Sequence, residues 1–233
     1  MMSTDTRGGG LRAVFPVAIW PATSYCLRRS RKLEEDTDTA RMMQTRIDAL
    51  EQIYQAFELE TAPYRSGAVC ETGCAFCCTD AGRIDCTTLE GLRIRGHIRK
   101  MLRPRQLDLK KALKRDMQKR ETGLPSPCPF LMKNKACMIY PARPFACRRI
   151  YSLHRCAKDH PPLISRQVMA IAEKTIAALQ HLDDNGYSGH LSYILHMLDT
   201  PRFLATYLAG DFKPEEIMDF GKTHRIVINK MMV

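Results

Sequence analysis

Nine of the ten cysteines in this 233-residue chain fall between Cys70 and Cys156, in two groups. The first reads Cys70-x3-Cys74-x2-Cys77-Cys78-x7-Cys86, and the second Cys128-x8-Cys137-x9-Cys147-x8-Cys156. Thiolates roughly two to four residues apart can turn toward one ion or cluster, and a distant second group closes the shell from elsewhere in the chain. A chain so marked must bring two remote segments together. Zinc takes four sulfur or nitrogen ligands and an iron–sulfur cluster takes four thiolates, so nine cysteines suffice for one site with residues to spare, or for two. The spacing matches neither paired Cys-x2-Cys knuckles nor the bacterial ferredoxin run, and it leaves the identity of the metal open.

Ten cysteines also permit a disulfide framework in an exported protein. Arg7 and Arg12 supply the basic start of an export signal, but Pro16 and Pro21 interrupt the apolar stretch 13–22, and Ala22-Thr23-Ser24 is a weak cleavage site. The bulky Tyr25 before Cys26 argues against a lipoprotein anchor. Adjacent Cys77 and Cys78 point to metal rather than disulfides, because neighbouring side chains project apart and rarely join each other. The expected location is the cytoplasm. No apolar run reaches the roughly 18 residues of a spanning helix, so no membrane partner is expected.

The rest of the chain reads as helix. Residues 1–38 show no period and are expected to form a loose N-terminal segment, with Met42-Met43 as an alternative natural start. An N-terminal helix is assigned to 39–65, where Met43, Leu50 and Phe57 form one apolar row and Ile47 and Tyr54 its companion. Thr87 and Glu90 form a capping box for a helix to about Leu102; Pro104 opens another to Glu121, stopped by Gly123. After Ser165, the residues Val168, Ile171, Ala172, Ile176 and Leu179 define a further helix, and Leu191, Ile194, Leu195 and Leu198 the next. Pro201 and Pro214 each start one more turn or helix. No alternating strand of useful length is visible. The expected fold is mainly α, a compact helical domain with irregular cysteine-bearing loops that form a metal site. Residues 66–156 would be the cysteine-cluster domain and 157–233 a C-terminal helical region packed on it.

Charge is concentrated where the cysteines are. Residues 70–156 hold 19 Lys and Arg against 7 Asp and Glu, while the flanks are close to neutral, although the whole chain carries +11. The densest part, 93–120, has 12 basic residues opposed only by Asp108 and Asp116. Such a surface could meet an acidic partner or nucleic acid by releasing counterions. Yet Ile94, Ile98, Met101, Leu109, Leu113 and Met117 persist through it as apolar stripes, and no stacking aromatic interrupts it. The preferred reading is a pair of helices packed on the core with a solvated basic face.

The motifs resemble a known family. Cys70-x3-Cys74-x2-Cys77-Cys78, then Cys128-Pro129-Phe130-Leu131, then Cys137-Met138-Ile139-Tyr140-Pro141-Ala142-Arg143-Pro144-Phe145-Ala146-Cys147-Arg148, is similar to the YkgJ-type cysteine-cluster family over roughly residues 66–150. That family is described as a zinc- or iron-chelating domain. Its first motif is usually Cys-x2-Cys-x2-Cys-Cys, which would put a cysteine where Glu71 stands. Carried onto this chain, the resemblance makes Cys74, Cys77, Cys78, Cys128, Cys137 and Cys147 metal ligands, with Cys70 next. Cys86 and Cys156 lie at the margins and read equally as small buried apolar residues. Cys26 reads as idle, and His154 and His160 are left out of the site.

Around the ligands, Arg143, Arg148 and Arg149 would offset thiolate charge, and Phe130, Tyr140 and Phe145 would exclude water. Pro129 and Pro144 would set loop geometry. The expected function is a metal-binding cysteine-cluster protein holding an iron–sulfur centre, the favoured cofactor, or zinc. Two alternatives stand beside it. Some longer members resemble flagellin lysine N-methylases, which implies a methyltransferase relative, although no glycine-rich nucleotide turn is evident here. The basic segment alternatively suggests a zinc-stapled nucleic-acid-binding module.

Overall fold

The computed structural model describes residues 22–80, 84–124, 126–211 and 213–223, with side chains mainly from residue 37 onward. The chain divides into two units, Met1–Ala40 and Arg41–Val233. The first is described only through the helical residues 22–40. The architecture below is that of the second.

Helix α1 spans Ala22–Thr61. It therefore begins well before Thr39, and the expected loose segment is helical from Ala22 onward, residues 1–21 lying outside the described residues. The stretch 27–35 is rich in Leu, Arg, Lys and Glu, which favour helix without any apolar period, and periodicity alone misses it. In the second unit the predicted rows are buried at Met43, Leu50, Tyr54 and Phe57. Pro63 then opens a 3-10 turn over Ala62–Arg65.

After a short helix α2 (Phe76–Thr79), strand β1 (Asp85–Thr87) runs straight into α3 (Thr88–Arg99). The predicted capping box is present: Thr87 Oγ1 accepts the Glu90 amide at 3.2 Å, and Glu90 Oε2 accepts the Thr87 amide at 2.7 Å. Helix α4 (Arg103–Glu121) has Pro104 in its first turn and ends before Gly123, whose φ is 71°. The basic helices bury Ile94, Leu109 and Met117 and leave Lys110, Lys111, Lys114 and Arg115 exposed. Arg93 pairs with Glu51, Arg95 with Asp199 at 3.0 Å, and Arg120 with Asp116 at 2.9 Å, so part of the charge is spent inside the fold.

The other elements follow in order: α5 (Phe145–Arg148), α6 (Arg166–Leu182), β2 (Ser188–His190), α7 (Leu191–Asp199), α8 (Pro201–Leu208) and α9 (Pro214–Thr223). Among the described residues, these helices and one two-stranded sheet make the fold mainly α. Helix α7 is its centre. All its residues except His196 and Asp199 are buried, the pattern of a helix apolar on nearly every side, and it packs on α3, α4 and α8.

The pairing of β1 with β2 was not foreseen. It is antiparallel with Cys86 opposite Gly189, and three residues per strand give too little alternation to read from sequence. Because each strand leads directly into α3 or α7, the pair sets the starts of those helices side by side. Thr88 secures the junction, its amide and hydroxyl both donating to Tyr187 O at 2.9 Å. Among the described residues, no helix is long and apolar enough to cross a membrane.

Candidate metal centre

The first cysteine group lies on a turn and a single coil of helix. Cys74 donates its amide to Glu71 O at 3.0 Å across a turn in which Gly73 takes φ 95°, a conformation that a Cβ would disfavour. Cys77 and Cys78 follow on α2. Consecutive helical residues diverge by about 100°, so these two thiols leave the helix in different directions. Cys78 O accepts the amide of Cys128 at 2.6 Å, which ties the two motif groups together.

The second group begins there. Leu131 bridges to Cys137 in antiparallel fashion, and the intervening reversal uses Lys135 at φ 62°. Met138 donates to Phe130 O at 2.9 Å. A 3-10 turn at Tyr140–Ala142 and the coil α5 then carry the chain to Cys147, whose amide donates to Pro144 O at 3.0 Å.

The sulfur electrostatics divide the thiols. The Cys128 thiol donates to Cys78 sulfur, which lowers the Cys78 pKa to about 7 and pushes that of Cys128 up, burial adding to the rise. Burial raises Cys137 as well; the amides of Phe130 and Ile139, each two residues past a cysteine, donate to the sulfurs of Cys128 and Cys137 and oppose the rise without reversing it. Burial raises Cys147, as do the neighbouring Cys78 and Cys137, while Arg143 opposes the rise. Cys77 is different. Burial drives it to about 12, and the thiols acting on it next are Cys70, Cys156, Cys78 and Cys74.

The remaining candidates separate by burial. Cys70 and Cys74 are exposed, Cys77 and Cys156 half-buried, and Cys86 lies in the apolar core at 3% exposure. The side chain of Cys26 is outside the described residues. His154 Nε2 sits 2.8 Å from Pro161 O. The nine described cysteines are all unbridged. Among the described residues, no three His, Cys, Asp or Glu side chains already enclose a single ion.

Two expectations for the surroundings change. Arg143 bears on the thiols of Cys137 and Cys147, and its guanidinium stacks 3.9 Å from the Tyr140 ring centroid. Arg148 turns inward: it donates to Glu58 at 2.7 Å, to Pro141 O at 2.9 Å and to Arg143 O at 3.1 Å, so it fastens the ligand loop to α1. Phe130 and Phe145 are buried as a water barrier requires, but Tyr140 is 61% exposed, turned out beneath Arg143.

Glu90 carries a role that sequence reading missed. Besides capping α3, its Oε1 accepts the Phe145 amide and the Tyr54 hydroxyl, both at 2.6 Å. One buried carboxylate thus joins α1, α3 and the start of α5, two residues before Cys147. The capping box was its only sequence signal.

The family model CxxCxxCC, described as "Putative zinc- or iron-chelating domain", matches residues 69–166, which include all nine clustered cysteines. No curated protein and no solved structure matches the chain. Residues 69–166 are thus similar to the CxxCxxCC zinc- or iron-chelating domain, and the YkgJ-type resemblance agrees with that match.

Proposed function

We propose that the protein holds an iron–sulfur cluster through Cys78, Cys128, Cys137 and Cys147. The supporting observation is the Cys78–Cys128 thiol pair with the thiols of Cys137 and Cys147 beside it, a set made wholly of sulfur donors. Four thiolates are the usual complement of such a cluster, which would supply one-electron exchange when bound. The residues around the set suit that load. The amides of Phe130 and Ile139 offer hydrogen bonds to ligand sulfur, and Arg143 offsets surplus negative charge; these are the contacts that tune a cluster's potential. Phe130 and Ile139, buried beside the set, limit the approach of water. Binding would turn the four side chains inward from their present positions.

Anaerobic purification followed by metal and sulfide analysis tests this reading. The expected result is a coloured protein containing iron and acid-labile sulfide, with absorption that bleaches on reduction. A colourless protein with stoichiometric zinc on the same four cysteines would overturn the iron–sulfur assignment.

A further inference from the structure

Helix α4 turns two different faces to its surroundings. Inward, Leu109 and Met117 are buried and Arg120 is taken up by Asp116 at 2.9 Å. Outward stand Lys110, Lys111, Lys114, Arg115 and Lys119, all exposed, and among the described residues none of the five is in an ion pair. Asp116, the carboxylate within this stretch, is buried, and its Oδ2 accepts from Arg120 Nε and Ser192 Oγ, so it is committed to the core side of the helix.

The spacing of these cations works against the helix that carries them. Lys110 and Lys114, Lys111 and Arg115, and Arg115 and Lys119 are like charges four residues apart, an arrangement that destabilises a helix. Their exposure shows that packing does not require them. Lys111, Arg115 and Lys119 form one row about 12 Å long.

Beside that row lies a cleft of about 260 Å³, lined by Arg115 and Lys119 from the helix and by Ser126, Pro127 and Pro129 from the loop that follows it. Ala112 and the two proline rings give the cleft apolar walls. That loop carries Cys128. Ser126 and Pro129 also line the small cavity at Cys78 and Cys128, and the Cα atoms of Pro127 and Pro129 each lie about 3.8 Å from that of Cys128. One short segment therefore borders both the basic cleft and the cysteine pair.

We propose that the cleft and the cation row beside it are the docking surface for an acidic protein segment, which lays carboxylates along Lys111, Arg115 and Lys119 and inserts an apolar side chain between Ala112 and the two prolines. Charge complementarity selects this occupant. A nucleic acid fits less well: four of the five cations are lysines, which lack the planar fork with which arginine takes phosphate, and no aromatic between 93 and 120 offers a platform for a base. A small, charge-led surface suits a partner that binds transiently beside a metal centre. The inference rests on the proposed function only in reading Cys128 as a ligand.

The probe is a fluorescent glutamate-rich peptide carrying one leucine, compared with the same peptide bearing glutamine for glutamate and with a DNA oligonucleotide of equal charge. The full-length protein should bind the acidic peptide in preference to both, with affinity falling as salt rises through about 0.15 M. Reversing the row with Lys111→Glu, Arg115→Glu and Lys119→Glu together should weaken binding about tenfold or more, whereas the same charge change at exposed Lys133→Glu, Lys135→Glu and Lys158→Glu should alter it less than about twofold. Failure of the unaltered protein to bind the peptide, equal loss in the two triple variants, or tighter binding of the oligonucleotide would each overturn the proposal. Because charge reversal could disturb α4, hydrogen exchange on the unaltered protein gives a second reading. The peptide should protect the amides of α4, Ser126 and Cys128, and protection confined to other segments would refute the surface. Neither readout measures metal, so failed docking leaves the iron–sulfur assignment standing, and zinc in the centre leaves the docking surface standing.

Discussion

Helix α7 and the segment from Cys70 to Cys78 belong to the same unit and differ in what orders them. All of α7 but His196 and Asp199 is buried, whereas no residue from Cys70 to Cys78 is. Burial at about 25 cal/mol per Å² of apolar surface can hold the first in place unaided. The second has turns and no buried residue to offset its lost chain entropy, so under the proposed function its order would come from hydrogen bonds to the core and from bound metal. The difference teaches that one continuous fold can have a half ordered by apolar burial and a half that burial alone leaves undetermined.

Metal removal should break the comparison open most widely, since thiolate-bound structural zinc alone is worth about 10–16 kcal/mol in small domains. Stripping the full-length protein with a chelator should abolish amide protection from Cys70 to Cys78 and from Cys128 to Cys147. Amides of α3 and α7 should keep most of theirs. Hydrogen exchange read by mass spectrometry checks this, and simultaneous loss of protection in α7 would show that the two halves are one cooperative unit.

Next in size comes Glu90→Ala. It removes the acceptor of three donors, the amides of Thr87 and Phe145 and the hydroxyl of Tyr54, inside a buried junction. Unpaired buried donors cost roughly 1–3 kcal/mol each, so a loss of about 3 kcal/mol or more in stability is expected, measured by urea unfolding. Metal affinity should weaken as well, because Phe145 starts the coil that carries Cys147. If stability falls and metal binding is untouched, Glu90 serves only the helical half.

The smallest effect sharpens the helical half by itself. Asp183 is fully buried, and burial raises its pKa from 3.8 to about 6 despite the Leu89 amide, the Tyr207 hydroxyl and Arg46; nearby Glu90 adds to the rise. The folded protein then holds a proton between about pH 4 and pH 6 that the unfolded chain has released. Stability from this group is full below about pH 4 and is lost as pH climbs to about 6. At about 1.4 kcal/mol per pKa unit, wild type should lose up to roughly 3 kcal/mol over that window relative to Asp183→Asn, comparing the two at each pH so that shared effects cancel. Parallel pH profiles would place the titration elsewhere.

Much of the helical half was legible in advance because its signals are local. The capping box of Thr87 and Glu90, the prolines that open α4, α8 and α9, and the apolar rows of α1, α6 and α7 each reside within a few turns of chain. The early start of α1 escaped because helix propensity without amphipathicity leaves no period. The strand pair escaped because its two partners are remote in sequence and only three residues long.

For the cysteine region, the sequence by itself determined the donor chemistry, the resemblance to a metal-chelating domain and the two groups that have to meet. Which thiol faces which was decided by tertiary structure. Cys77 and Cys78 are neighbours in the chain, yet Cys78 shares a hydrogen bond with Cys128 while burial dominates the surroundings of Cys77. Arg148 could be read as a thiolate partner until Glu58, Pro141 O and Tyr54 claimed it. Local spacing states which atoms are available; partner choice depends on segments up to about a hundred residues apart in sequence, and only packing brings those within the few ångströms over which hydrogen bonds and thiolate charges act.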